Sequence, residues 1–212
     1  NHARLTPYPM GAWSEAGVPD TSQIVNTTAT FGEDGDYTTP PAAKPQSFTN
    51  NGNGTITDNV TGLMWQSVDA GEMTWENAIN NASAQTTGGY TDWRLPNPHE
   101  LFSIMNHQNG NPAAMDTTYF PLNGAGAEYW WSRDPFGTST TNVWCVNSGG
   151  GLGPKPKAET ISAGGAFRYH ARYVRGAQNN NTHNYVNNGD GTITDTDTSL
   201  MWTQLPSSSM PW

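Results

Sequence analysis

Lysine is nearly absent from this chain. Its 212 residues include 9 basic and 18 acidic side chains, for a formal net charge of -9, and the only lysines are Lys44, Lys155 and Lys157. A basic face for phosphate contacts is missing, which excludes a nucleic-acid partner. The same balance disfavours sulfated polysaccharide unless the arginines cluster locally. An acidic excess suits solubility outside the cell, or modest use of Ca²⁺. Cysteine is as scarce: Cys145 stands alone, so no intrachain disulfide can form. It lies in the apolar run Val143-Trp144-Cys145-Val146, read as a buried strand, where the thiol is either structural or kept for an intermolecular bridge. Long hydrophobic runs are lacking too, and nothing approaches the ~20 residues of a membrane span. Only 34% of residues are hydrophobic, which leaves room for a small core.

Catalytic signatures are also missing. No Gly-x-Ser-x-Gly elbow, P-loop or Cys/His pair occurs. The five histidines (His2, His99, His107, His170 and His183) show no metal-ligand spacing; His99 and His107 lie eight apart around a helix, but no third ligand accompanies them. An enzyme is not expected, and no cofactor is called for unless it is Ca²⁺.

Aromatic residues are plentiful: 9 Trp, 8 Tyr and 6 Phe, which a disordered chain would lack. A folded protein with an aromatic-rich core and long Asn/Thr/Gly/Ser loops is expected. Residues 1–47 read as an extended lead-in, with Pro40, Pro41 and Pro45. Phe48 to Asp58 then reads as a hairpin whose Asn-Gly-Asn-Gly turn tolerates positive φ and whose Thr55-Ile56-Thr57 suits the returning strand. Leu63-Met64-Trp65-Gln66 begins another strand.

Two helices follow. Thr74 is placed as the N-cap of the first, with Trp75, Ala78, Ile79 and Ala82 at helical spacing and Gly88-Gly89 as its stop. Asn97, Pro98 and Glu100 write a capping box for the second, whose buried face is Leu101, Ile104 and Met105. Short strands come next: Tyr129–Ser132, Asn142–Asn147 and, after a loop with Gly149-Gly150-Gly151, Pro154 and Pro156, one strand over Ala166–Arg175 with Phe167, Tyr169, Ala171 and Tyr173 on one face. Two helices among about six strands predict an α+β domain with an antiparallel sheet.

Past a polar linker at 177–184 the hairpin is written again. Tyr185 to Asp195 repeats Phe48 to Asp58, and Leu200-Met201-Trp202 repeats Leu63-Met64-Trp65, at an offset of about 137 residues. That is a domain-sized period and implies duplication. Residues 185–212 are expected to be the start of a second, incomplete copy.

Phe48–Gln66, F-T-N-N-G-N-G-T-I-T-D-N-V-T-G-L-M-W-Q, resembles the opening of the Lcl C-terminal domain family, named after a bacterial collagen-like adhesin. The later G-G-Y-T-D-W-R-L-P-N-P-H-E-L is similar to its second signature, and Y-W-W-S and A-R-Y-V-R-G to its closing strands. The likeness covers roughly residues 31–176. It implies a C-type-lectin-like fold, two helices packed on a twisted antiparallel sheet with long loops, over residues 48–176. It also implies a secreted or surface-exposed bacterial protein that binds without catalysis. The adhesin binds sulfated glycans, and this sequence departs from it in charge.

Candidate sites follow. Tyr129, Trp130 and Trp131 are consecutive, so a strand points at least one of them away from the others; one face is core and the other is a candidate glycan or partner surface. Arg168 and Arg172 are four apart, hence on one strand face, and either contact a ligand or pair with acids of their own domain. Calcium is weighed at Glu33, Asp34 and Asp36, and at the second hairpin, where Asn188, Asp190 and Asp197 echo positions 3, 5 and 12 of a calcium loop while Val186 at position 1 supplies no side-chain oxygen. The competing reading of both hairpins is a β-turn. Two functions stand: an adhesion or carbohydrate-recognition module whose partner is a glycan or surface protein, and a homo-oligomeric, self-assembling subunit of a surface filament whose C-terminal hairpin packs on its neighbour.

Overall fold

The first hairpin is closed by glycine. Gly52 and Gly54 sit at φ 74° and 84°, a conformation that costs a residue without Cβ little. Around them the Asn side chains replace missing backbone bonds: Asn50 Oδ1 accepts from Gly52 N, and Asn53 Oδ1 from both Thr55 N and Thr55 Oγ1. The turn joins β1 (Phe48–Asn50) to β2 (Thr55–Asp58), which pairs in turn with β3 (Met64–Gln66). Asp58 organises the second turn, accepting from Val60 N, Thr61 N and Thr61 Oγ1.

The computed structural model describes residues 23–29, 31, 34–36, 45–109, 114–123, 129–177, 184–196 and 200–205. These fall into two compact units, one holding the described residues from 23 to 177 and the other those from 184 to 205.

The larger unit is α+β, mostly sheet with few helices. Both expected caps form. Thr74 Oγ1 accepts from Asn77 N at the start of α1 (Trp75–Asn81), and Asn97 with Glu100 makes a complete capping box on α2 (Pro98–Ser103). The first helix is shorter than its periodicity predicts. It breaks into single 3-10 turns at Ala82–Ala84 and Thr87–Gly89, and Ile79 stays 38% exposed.

A second sheet is built from β4 (Tyr129–Pro135), β5 (Asn142–Asn147), β6 (Leu152–Pro156) and β7 (Tyr169–His170), in the order β6-β5-β4-β7. Two expectations change here. The proline-containing segment read as loop is strand β6; it is an edge strand, where a missing N–H is tolerated. The single strand expected over Ala166–Arg175 divides. β7 pairs parallel with β4, while β8 (Val174–Arg175) pairs antiparallel with β3 and closes the first sheet as β1-β2-β3-β8. The segment thus stitches two sheets together, and the sheets are not wholly antiparallel.

Both faces of β4 and β5 are buried. Trp130 and its partner Val146 belong to a core with Ile56, Leu63, Trp65, Leu101, Ile104, Met115, Phe120 and Val174; Trp131 and its partner Cys145 belong to a second core with Ala78, Trp93, Leu95, Tyr169 and Tyr173.

The smaller unit is a three-stranded sheet of β9 (Tyr185–Asn187), β10 (Thr192–Asp195) and β11 (Met201–Thr203), in the order β11-β10-β9.

Candidate functional site

The aromatic trio does not form an outward face. Trp130 and Trp131 are both 0% exposed, because β4 is covered on both sides rather than one. Their indole N–H groups are used internally, Trp130 Nε1 on Asp69 Oδ2 at 3.2 Å and Trp131 Nε1 on the Met73 carbonyl at 2.8 Å. Tyr129 is half-buried, packed edge-on to Phe167 and Tyr169 with Lys155 over its ring at 4.4 Å. Cys145 is buried, and burial pushes its thiol up, out of reach of ionisation at neutral pH. The intermolecular bridge considered for it is not accessible in this fold.

Arg168 and Arg172 do not share a face either, since the regular strand ends between them. Arg168 is exposed and pairs with Glu72. Arg172 is 0% exposed. Its guanidinium donates to the carbonyls of Gln66 and Ser67, lies 3.7 Å from Asp69 Oδ2, and rests 5.4 Å from the ring centres of both Phe120 and Trp130. Asp69 is the hub of this interior network. It also contacts His170 Nδ1 at 3.0 Å and accepts from Gly71 N. Burial alone would raise the Asp69 carboxyl; the His170 hydrogen bond, the Arg172 charge and the Trp130 N–H together hold it below its ordinary value. The arrangement knits the segment after β3 to β4 and to the β7–β8 stitch, which is a structural role. Sequence reasoning missed Asp69, whose charge partners His170 and Arg172 lie about a hundred residues further on.

The calcium candidates fare as follows. Glu33 and Asp197 lie outside the described residues, as does the side chain of Asp34. Asp36 accepts from Asn26 Nδ2. Asp190 Oδ1 is taken by Thr192 N and Thr192 Oγ1, and these bonds hold its carboxyl low. Among the described residues no group of three His, Cys, Asp or Glu side chains could hold a metal ion. Among them, too, no helix is long and apolar enough to cross a membrane.

The most unusual surface is the smaller sheet. It reproduces β1–β3 pair for pair: Ile193↔Trp202 stands for Ile56↔Trp65, Thr194↔Met201 for Thr57↔Met64, Tyr185↔Asp195 for Phe48↔Asp58. The supporting bonds recur as well. Asn188 Nδ2 donates to Thr192 and Thr194 as Asn51 Nδ2 does to Thr55 and Thr57, and Gln204 N reaches Gly191 O as Ser67 N reaches Gly54 O. What differs is the covering. Paired residues share a face, so Tyr185, Ile193 and Trp202 line the face that matches Phe48, Ile56 and Trp65. Trp65 is 0% exposed, whereas Trp202 is 57% and Tyr185 61% exposed. The edge of β11, matching the β3 edge that β8 occupies, has no strand beside it among the described residues.

A smaller aromatic feature lies at the far end of the second sheet, where Phe136 packs edge-on to Trp144 at 4.8 Å, both partly exposed, opposite Pro154.

No curated protein matches this sequence. The Lcl C-terminal domain matches it over residues 54–175, from the first glycine turn to the last residue of β8. That match takes in more than half of the chain and the whole of both cores: the chain belongs to the Lcl C-terminal domain family.

Proposed function

We propose that this chain is a surface-associated, non-enzymatic assembly module whose smaller sheet, residues 184–205, joins neighbouring subunits. Family membership supports surface association, and secretion and a C-type-lectin-like architecture for residues 48–176 belong to the same reading. The observation that carries the assembly role is Trp202. Of the residues on the face that is core in the first hairpin, Tyr185 and Trp202 are more than half exposed in the second. Exposed apolar side chains gathered on so small a sheet favour association. The test is light scattering on the full chain against Trp202→Ser/Tyr185→Ser. Concentration-dependent growth is expected for the native chain and its loss for the variant. A native chain that stays monomeric at high concentration sinks the reading.

Glycan recognition is the second reading, and the Phe136–Trp144 pair is the observation that favours it, since a partly exposed indole offers a stacking face to a sugar ring. Binding to a glycan array that Trp144→Ala abolishes would support adhesion; an empty array would remove it.

A further inference from the structure

A cleft of about 430 Å³ opens along α1, lined by Met73, Asn77, Asn80, Asn81 and Ala84. Steps of three and four residues put Asn77, Asn80, Asn81 and Ala84 on one side of the helix, with Met73 a turn ahead of them. The volume lies in the range of small-molecule sites. The cleft also has a rigid base. Met73 N donates to the Tyr169 carbonyl at 3.0 Å, and the Met73 carbonyl accepts from Trp131 Nε1 at 2.8 Å. Tyr173 Oη donates to the Ala78 carbonyl at 2.8 Å. Trp131, Tyr169 and Tyr173 all belong to the second core, so groups displayed along this face of α1 are held in place.

The three asparagines are used differently. The Asn81 carboxamide reaches the Tyr173 hydroxyl, which ties it to the fold. Asn77 and Asn80 enter the local hydrogen bonding through their backbones: Asn77 N donates to Thr74 Oγ1, and the Asn80 carbonyl accepts from Ser83 Oγ. Both residues are exposed, and among the described residues neither carboxamide has a partner. Asparagine is a weak helix former, because its side chain competes with the backbone for hydrogen bonds. Two of them within a helix of seven residues, neither cross-linking anything with its side chain, break a local rule without a structural gain. Such positions are where functional residues are expected.

We infer that this cleft binds a neutral sugar. No charged side chain lines it, so nothing there matches a sulfate or carboxylate, and the net charge of -9 opposes an anionic ligand. Each free carboxamide presents a donor and an acceptor side by side, which suits neighbouring hydroxyl groups of a sugar ring. Met73 and Ala84 supply apolar surface for the C–H groups of the same ring. The site uses no residue of the smaller sheet or of the Phe136–Trp144 pair, and it shares only its ligand class with the glycan reading.

Saturation-transfer NMR on the full chain tests this. The probes are glucose, galactose, mannose and N-acetylglucosamine, with glucuronate and galactose 6-sulfate as the anionic arm. Transfer to at least one neutral sugar is expected, and none to the anionic pair. Asn77→Ala/Asn80→Ala should weaken that binding about tenfold, the worth of two hydrogen bonds. Alanine is the better helix former, so the same variant should melt higher by about 2 °C. A variant that melts lower would show the two amides to be structural, and the inference fails. It fails equally if no sugar gives transfer, if only the anionic pair does, or if the neutral signal persists in the variant. Trp144→Ala is expected to keep the signal. Loss there, with Asn77→Ala/Asn80→Ala unaffected, assigns the sugar to the Phe136–Trp144 pair, so the glycan reading stands and this site falls.

Discussion

Trp65 and Trp202 occupy the same register position, each opposite an isoleucine on the middle strand of a glycine-turned hairpin, yet one is fully enclosed and the other is 57% exposed. Identical local chemistry makes identical strands; covering is decided by what the chain brings from far away. The two tryptophans should therefore respond in opposite ways. Trp65→Ala empties the centre of the first core and is expected to cost about 3–5 kcal/mol in chemical unfolding. Trp202→Ala should leave the unfolding of the larger unit unchanged and weaken self-association, read by sedimentation. Equal destabilisation by both changes would contradict this assignment.

Gly88 holds the first hairpin against the segment that follows α1. Its φ is 65°, and a Cβ there would stand 2.7 Å from Thr55 Cγ2. Next to it, Gln66 Nε2 donates to Gln85 Oε1 at 2.9 Å and to Thr87 Oγ1 at 2.8 Å. Gly88→Ala adds both strain and a clash, and should destabilise by about 1–3 kcal/mol. Gly89→Ala shares the positive φ but meets nothing within 4 Å, so it should cost less. Thermal melts of the two variants check the order, and a reversed order would refute the packing argument.

Asp69 gives the fold an acid limit. Its folded pKa lies below the ordinary 3.8, so the folded state favours the carboxylate. The stabilisation is complete above the unfolded value and disappears as pH falls through the lower, folded one. Between about pH 5 and pH 2 the native melting temperature should drop more steeply than that of Asp69→Asn. At pH 7 the same variant should be less stable by about 3–5 kcal/mol, since it leaves the Arg172 charge buried without its partner. Glu72 is also held low, by Thr160 and Arg168, but it titrates in both proteins and cancels in the comparison. Parallel curves would show that Asp69 is not the group responsible.

Local signals were legible in the sequence and long-range ones were not. Thr74, Asn97, Pro98 and Glu100 mark both helix starts because capping is settled within four residues. The glycine turns of both hairpins are equally local. By contrast, the two-sided burial of Trp130 and Trp131 depends on cores assembled from residues 56–174, and alternation along a strand cannot report a second covering layer. Arg172 carries the same lesson: its spacing from Arg168 suggested a shared face, but the strand breaks at Ala171 to change sheets. The repeat was visible as letters, whereas the exposure of Trp202 needed three dimensions.

The second hairpin should not depend on calcium for its stability. The Asp190 oxygen that a calcium loop would use already accepts from Thr192, as Asn53 does from Thr55 in the first copy, which makes the acidic side chain a turn element. A bound ion present at a hundred times its Kd would add about 2.7 kcal/mol, a shift of several degrees for a domain of this size. Calorimetry with chelator and with millimolar CaCl₂ is expected to give superimposable transitions. A clear rise with calcium would reinstate the ion-binding reading of the hairpins.

Glu100 joins the second helix to the seam between the sheets. Its carboxylate takes a bidentate pair from Arg94, at 2.7 and 2.8 Å, and also accepts from Asn97 N at 2.8 Å. Arg94 in turn bridges Val174 through its backbone, N to O at 3.0 Å in both directions. One buried carboxylate thus fixes a helix start and the strand that completes the first sheet. Asn97→Ala removes a single cap and should cost about 1 kcal/mol. Glu100→Ala also leaves the Arg94 side chain, 17% exposed, without its carboxylate partner, and the upper bound for breaking such a pair is about 3–5 kcal/mol. Glu100→Gln should fall between them, since it keeps an oxygen for Asn97 N and loses the charge. Urea melts of the three variants should rank in that order. A Glu100→Ala cost no larger than that of Asn97→Ala would mean that the residue acts as a cap alone.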